Sequence, residues 1–418
     1  MHRLTFDKFL VAGLVVLLFL NGPALAQDDK KKQQTITERA YKRLEQAHAA
    51  LGDKNYAEVI TKLQQMEQIN LNDYESALMY QTYGFLYADQ GQYGQAIVYF
   101  ERCLGLEALP DAAQQGMLFS LAGLYSAESQ FQKTIDTMLR WLPNEPDPKA
   151  EAFIMLAAAY SELKRYGEAL PWVEKAIAKS DTPKESWYQL LVAIQFELSR
   201  YKAAASTLQR MVSYWPDKLN YWEMLSGAYQ QDGNDIQAAA AMRLAYRRGL
   251  LETENKLLNL ARMIMFVEDP YQGARLIEAE MQSGRIERTK KNLELLLSAW
   301  SGSKEFEKAI GVIDQLASMT GNGEYYLQKA QLYAERGAWS DVVPAAEQAI
   351  ARGGLRKPGT PWILKGMAEA ELGRFNDAID SLTEAKKFDG SIKDQAEGWI
   401  DFVNDRRKIA PDQSAAAE

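Results

Sequence analysis

The sequence is poor in the residues that most often build disulfide bonds, metal centres and catalytic sites. It contains one cysteine and two histidines in 418 residues. Cys103 has no second cysteine with which to form an internal disulfide bond. A metal site needs a cluster of His, Cys, Asp or Glu ligands, and no nucleophile motif or phosphate-binding loop accompanies these few residues. We therefore expect a non-catalytic protein without a cofactor or a metal.

The sequence also lacks a net basic charge and has few long apolar segments. The net charge is −8 and no stripe of Lys and Arg offsets it, which disfavours a nucleic-acid partner. The one long apolar run, residues 9–20, follows a basic N-terminus and precedes a small-residue site that ends at Ala26. This order predicts a secretory signal peptide over residues 1–26, and an uncleaved membrane anchor is the alternative. We expect an exported, soluble chain that begins at Gln27.

One short pattern recurs along the chain: an aromatic residue followed three positions later by a small residue, as in Tyr166 and Ala169. Successive copies lie 33 to 38 residues apart, and one copy is degenerate, with Asp235 at the aromatic position. A period near 34 with two helices per copy is a helical-repeat signature. The aromatic positions are Tyr56, Tyr93, Phe131, Tyr166, Tyr201, Tyr271, Phe306, Trp339 and Phe375.

A second stripe precedes each copy and predicts the first helix of each pair. Residues 80–87 read YQTYGFLY, 118–125 LFSLAGLY, 153–160 FIMLAAAY and 222–229 WEMLSGAY. Large residues recur with a period near 3.6, and small residues between them allow close helix packing. A single helical pair cannot bury its apolar face, so it needs a neighbour on each side, which explains the repetition.

These motifs resemble the tetratricopeptide-repeat family. The resemblance implies an all-α, right-handed superhelical solenoid of about ten helix-turn-helix units. We assign residues 1–26 to the signal peptide, 27–38 to a flexible lead-in and 39–390 to the solenoid. Residues 391–408 form a predicted capping helix, and 409–418 a disordered tail. Pro-rich residues 143–148 predict a stiff joint between repeats.

In that family the first helices line a concave face, so exposed positions on them are candidate partner-binding residues. Acidic residues and glutamines dominate these positions, which predicts an acidic groove that binds a basic, extended protein or peptide. The alternative is that the acids only keep the face hydrated. The candidate residues are Asp89, Glu162, Glu197, Glu223, Glu294, Glu335, Glu371, Gln81 and Gln189.

Several longer stretches, including residues 183–204, 220–233, 256–266, 289–300 and 353–379, resemble secreted tetratricopeptide proteins that accompany TonB-type energy-transduction systems. That resemblance implies a periplasmic accessory scaffold in nutrient uptake, whose partner is a TonB-like transducer or its receptor. The alternative is an adaptor in cell-envelope assembly or polysaccharide export.

Overall fold

The computed structural model describes residues 35–388 and 390–409. Within these ranges the chain consists of twenty-one α-helices and one short 3-10 helix, Leu142–Asn144, without a β-strand. The predicted all-α solenoid of helical pairs is thereby confirmed. The predicted signal peptide and most of the lead-in and tail lie outside the described residues.

The chain divides into two compact units between Pro216 and Asp217, a division that the sequence analysis did not predict. Unit 1 contains α1 Glu38–Gly52, α2 Tyr56–Glu67, α3 Asp73–Asp89, α4 Tyr93–Gly105, α5 Asp111–Ala127, α6 Phe131–Trp141, α7 Ala150–Glu162, α8 Tyr166–Lys179, α9 Glu185–Glu197 and α10 Tyr201–Tyr214. Unit 2 contains α11 Leu219–Gln231, α12 Asp235–Arg247, α13 Glu254–Phe266, α14 Pro270–Gln282, α15 Lys290–Gly302, α16 Phe306–Thr320, α17 Gly323–Glu335, α18 Trp339–Arg352, α19 Thr360–Glu371, α20 Phe375–Ala385 and α21 Ser391–Ile409.

The two helices of each pair are joined by one recurrent turn. In α7–α8, Lys164 has a left-handed backbone (φ 58°), and the next amide, Arg165 N–H, donates to the Tyr160 carbonyl. This six-to-one hydrogen bond satisfies a carbonyl that the helix end would leave unpaired. Each predicted aromatic position begins its second helix, except that α14 begins at Pro270, one residue before Tyr271. The turn therefore fixes where each first helix ends.

Small residues let the two helices of a pair approach closely. The repeated alanines Ala96, Ala169 and Ala309 are fully buried, and Cys103 is also buried, with its Sγ 3.1 Å from the Ala77 carbonyl oxygen. The closest packing is at Gly84 of α3, where an added Cβ would lie 2.1 Å from Phe100 Cδ1. Phe100 is itself almost completely buried.

Gly84→Ala is therefore expected to destabilise unit 1 by about 1–3 kcal/mol, because the buried Phe100 ring must shift. Gly123 of α5 is the matched control, since an added Cβ there meets nothing within 4 Å. Gly123→Ala should stabilise the protein by about 0.5–1 kcal/mol through its helix propensity. Urea denaturation of both variants measures the difference, and equal effects would contradict this packing argument.

The two ends of the described chain are anchored by specific contacts. Thr37 caps α1, and its amide donates to Glu75 Oε1 at 2.7 Å, so the predicted flexible lead-in is fixed at its C-terminal end. Helix α21 packs on α19 and α20, and its Val403 is fully buried. Trp399 and Ile400 are partly buried against the same cluster. The last helical pair of unit 2 is thus covered by α21.

Candidate partner-binding site

Five of the predicted binding residues occupy the same structural position: the last residue of a first helix. Asp89 ends α3, Glu162 ends α7, Glu197 ends α9, Glu335 ends α17 and Glu371 ends α19. All five are exposed. A carboxylate at a helix C-terminus faces the negative end of the helix dipole, which costs about 0.3–1 kcal/mol. The helix dipole therefore does not favour an acid at this position.

Two of these five carboxylates are occupied by contacts with a neighbouring helix. Asp89 accepts a 2.6 Å hydrogen bond from the Tyr56 hydroxyl of the preceding pair. Glu371 forms a 2.9 Å ion pair with Arg406 of α21. In both cases the partner offsets the unfavourable charge at the helix end. These two residues connect neighbouring elements and are poor candidates for recognition of a separate protein.

The predicted acids near the start of first helices are occupied in the same way. Glu223 forms a 3.0 Å ion pair with Lys256 of the next pair. Glu294 accepts a 2.7 Å hydrogen bond from the Tyr325 hydroxyl, and burial together with that bond raises the pKa of Tyr325 to about 12. The two predicted glutamines, Gln81 on α3 and Gln189 on α9, are half-buried.

Glu162 and Glu197 in unit 1 behave differently from the paired acids. Among the described residues neither carboxylate accepts a hydrogen bond or forms an ion pair. They occupy equivalent positions in successive repeats, and both act on one side chain, Tyr166 at the start of α8. Burial raises the pKa of Tyr166, and the negative charges of Glu197 and Glu162 raise it further. We call these three residues the Glu162–Glu197 site.

The neighbouring cation does not neutralise this site. Arg165 directly precedes Tyr166, but its guanidinium donates two 2.6 Å hydrogen bonds to Glu168. The aromatic ring of Phe196 adds an apolar surface beside Glu197 and contacts Tyr201 edge-on at 5.9 Å. Two unneutralised carboxylates flanking a tyrosine ring suit a lysine or arginine side chain, which offers both a charge and an apolar stem.

Glu335 in unit 2 shares these properties. It is exposed, it ends α17, and in the described part of the chain its carboxylate makes no hydrogen bond or ion pair. The neighbouring Arg336 instead pairs with Glu307. Unit 2 therefore carries one unneutralised acid at the position that unit 1 uses twice.

The sequence analysis missed Tyr166 as a member of the site. In the sequence, Tyr166 stands out only as one of the recurrent aromatic positions of the repeat. It is only half-buried, so its ring also contributes to the surface. The available signal was the position of Tyr166 four residues after Glu162, together with the recurrence of an acid one repeat later at Glu197.

His48 and Cys103 are both held in contacts within the fold. His48 Nε2 lies 3.0 Å from Thr82 Oγ1, and burial lowers the pKa of this histidine. Burial raises the pKa of the Cys103 thiol to about 12, which keeps it protonated and unreactive. Across residues 35–388 and 390–409, no three or more His, Cys, Asp or Glu side chains form a metal-binding group. In the same ranges no helix combines the length and apolarity needed to cross a bilayer.

Comparison with known families agrees with this geometry. The tetratricopeptide-repeat family model matches residues 77–108 and 150–178, which cover α3 with α4 and α7 with α8. The second match contains Glu162 and Tyr166. The matches support the tetratricopeptide-repeat family. Together with the helical pairs, they define an all-α solenoid. Solenoids of this class generally serve as scaffolds that bind proteins or peptides. No curated protein matches the chain.

Several solved structures are similar to parts of the chain. MamA is 18% identical over 43% of this chain and 96% of its own, with a TM-score of 0.35. YrrB, described as a TPR protein with an unusual peptide-binding site, is 15% identical over 40% of this chain and 84% of its own, with a TM-score of 0.35. A tetratricopeptide-repeat protein from Parabacteroides merdae is 15% identical over 63% of this chain and 99% of its own, with a TM-score of 0.37. At these values we draw no functional conclusion from them.

Proposed function

We propose that the protein is a non-catalytic periplasmic scaffold that binds basic, extended segments of partner proteins through the Glu162–Glu197 site. One observation carries this proposal: two acids end successive first helices, where they oppose the helix dipole, and the protein neutralises neither. The acids at the same position of other first helices, Asp89 and Glu371, are paired with Tyr56 and Arg406 respectively. Carboxylates left unpaired at a stability cost are available for an external cation.

We further propose that the partner belongs to a TonB-type energy-transduction system, as a transducer or its receptor. The support is the sequence resemblance to secreted tetratricopeptide proteins of such systems, together with charge complementarity. A periplasm-spanning segment that carries lysines in an extended Pro-rich backbone would present its charges to Glu162 and Glu197 without first unfolding. In unit 2, Glu335 provides a further unpaired carboxylate that a lysine of the same partner segment could contact.

An affinity purification from detergent-solubilised cell envelopes tests this proposal. The bait is the tagged full-length protein, processed in the cell, and its mature N-terminus is expected at Gln27. We expect recovery of a TonB-like transducer, ExbB, ExbD or a TonB-dependent receptor, and loss of that partner from a Glu162→Lys, Glu197→Lys bait. Recovery of envelope-assembly or polysaccharide-export proteins instead would favour the alternative adaptor function. A bait that retains Met1 would contradict cleavage of the predicted signal peptide.

A further inference from the structure

A second feature of unit 1 is a cavity of about 100 Å³ at the edge where α8 ends, α9 begins and α10 ends. The α8–α9 loop, from Ser180 to Lys184, forms one side of this cavity. Trp187, Tyr188, Arg210 and Tyr214 line the rest. Tyr188 lies near the start of α9, whereas Glu197 lies at its end, so about 14 Å along the helix separates the cavity from the Glu162–Glu197 site.

The charge of Arg210 is not neutralised by an acid. Its Nη2 donates a 2.5 Å hydrogen bond to the Tyr188 hydroxyl, and its guanidinium carbon lies 5.0 Å from the centre of the Tyr188 ring. In the described ranges no carboxylate forms an ion pair with it. The other cation of the cavity, Lys184, is paired with Glu151 at 2.6 Å. Asp181 contributes a carboxylate to the lining, but it makes no ion pair with Arg210.

The Arg210 side chain is exposed, and its guanidinium lies against the buried Tyr188 ring. Tyr188 and Trp187 are 3% and 7% exposed, so both are fixed in the protein interior. Tyr214, at the open side, contacts Tyr188 edge-on at 5.6 Å. The nearby Arg210 guanidinium lowers the pKa of the Tyr214 hydroxyl, and a more acidic hydroxyl is a stronger donor. The cavity thus presents a planar cationic fork beside two phenol groups.

We propose that this cavity binds a carboxylate group of a partner peptide, from either an acidic side chain or a free C-terminus. The guanidinium fork matches the two oxygens of a carboxylate, and its position on a buried ring limits the entropy lost on binding. The small volume admits a carboxylate with one or two methylene groups. Unit 1 then recognises an acidic group at one end of α9 and a basic group at the other.

Calorimetric titration of the full chain with three probes tests this inference. The probes are acetylated trialanine with a free C-terminal carboxylate, the same peptide as its C-terminal amide, and amidated acetyl-alanyl-glutamyl-alanine. Arg210→Met removes the charge, and Arg200→Met is the matched control, because Arg200 lies at the other end of α10, is exposed and makes no ion pair with a described residue. Arg210→Lys keeps the charge without the fork, and Asp181→Asn removes the opposing carboxylate.

At least one carboxylate-bearing probe is expected to bind, and the probe that binds identifies the source of the carboxylate. Arg210→Met should weaken that binding roughly tenfold or more, Arg210→Lys less, and Asp181→Asn should strengthen it several-fold. Equal binding of the amide probe, an equal loss in Arg200→Met, or no loss in Arg210→Met would each overturn the inference. Glucuronate and inorganic phosphate are titrated as control anions, and binding of either without any carboxylate-peptide binding would also overturn the inference. Because none of these changes touches Glu162 or Glu197, the result is independent of the proposed function.

Discussion

Replacing Glu162 and Glu197 together by lysine is expected to lower the affinity for a synthetic peptide of alternating lysine and proline by roughly 100-fold. The substitutions replace two carboxylates that attract the lysines of the peptide with two ammonium groups that repel them, at the C-terminal ends of α7 and α9. The same change should leave the thermal midpoint unchanged or slightly raise it, because a cation at a helix C-terminus is favourable by about 0.3–1 kcal/mol. Calorimetry for binding and a thermal melt followed by circular dichroism measure both quantities.

Because the double variant is expected to lose binding but not stability, it separates two interpretations of Glu162 and Glu197. If Glu162 and Glu197 only keep the surface hydrated, the variant gains stability and peptide binding does not change. Glu174 is the control for added charge, since it is exposed on the second helix α8 and makes no ion pair with a described residue. Glu174→Lys should retain binding, and a peptide of alternating glutamate and proline should not bind the natural protein. Binding should also weaken as salt concentration rises.

The largest stability effect is expected at Glu280, a nearly buried carboxylate in unit 2 that is 3% exposed. It accepts hydrogen bonds from the Tyr246 hydroxyl and from Ser283 Oγ at 3.1 Å, and it pairs with Arg285 Nε at 2.5 Å. Glu280→Ala removes the carboxylate that Tyr246 and Arg285 contact, whereas Ser283 Oγ keeps its 3.0 Å hydrogen bond to the carbonyl oxygen of residue 280. The variant is expected to cost about 3 kcal/mol, the lower end for a broken buried pair, because Arg285 reaches solvent. Urea denaturation of the full chain measures this loss.

Glu307→Ala is the control for Glu280→Ala. Glu307 pairs with Arg336 across neighbouring repeats of the same unit, but its side chain is 76% exposed. Removal of such a pair should cost about 0–1 kcal/mol. If both variants lose the same stability, burial of Glu280 is not what makes its contacts important.

The Glu280 contacts also predict a dependence of stability on pH. Burial acts to raise the pKa of Glu280, but hydrogen bonds from Tyr246, Arg285 and Ser283 outweigh it, so the folded-state pKa is lowered. A carboxyl whose pKa is depressed by folding stabilises the protein above its unfolded pKa, and this contribution disappears as the pH falls through the folded value. The stability difference between the natural protein and Glu280→Ala should therefore shrink under acidic conditions.

Much of the fold follows from the sequence, because the repeat places equivalent residues at equivalent contacts. The aromatic positions from Tyr56 to Phe375 begin their second helices, with Tyr271 one residue inside α14, and small residues after them, such as Ala96 and Ala169, are fully buried. These residues determine structure through contacts within a pair and with the adjacent pair, which a periodic pattern reports directly. The division after Pro216 is different, because no break in the period marks it.

The repeat pattern predicts the positions of the candidate site residues but not the contacts that they make. The sequence by itself determined that the first helices end in acids at Asp89, Glu162, Glu197, Glu335 and Glu371. Only the tertiary structure decided which of these carboxylates are occupied, because their partners lie on other helices. Tyr56 reaches Asp89 and Arg406 reaches Glu371, whereas no described cation reaches Glu162 or Glu197. The Arg210 cavity has the same origin, since it requires the end of α10 to lie against the start of α9. Periodicity specifies which residues face solvent, and packing between helices specifies which of their charges remain unpaired.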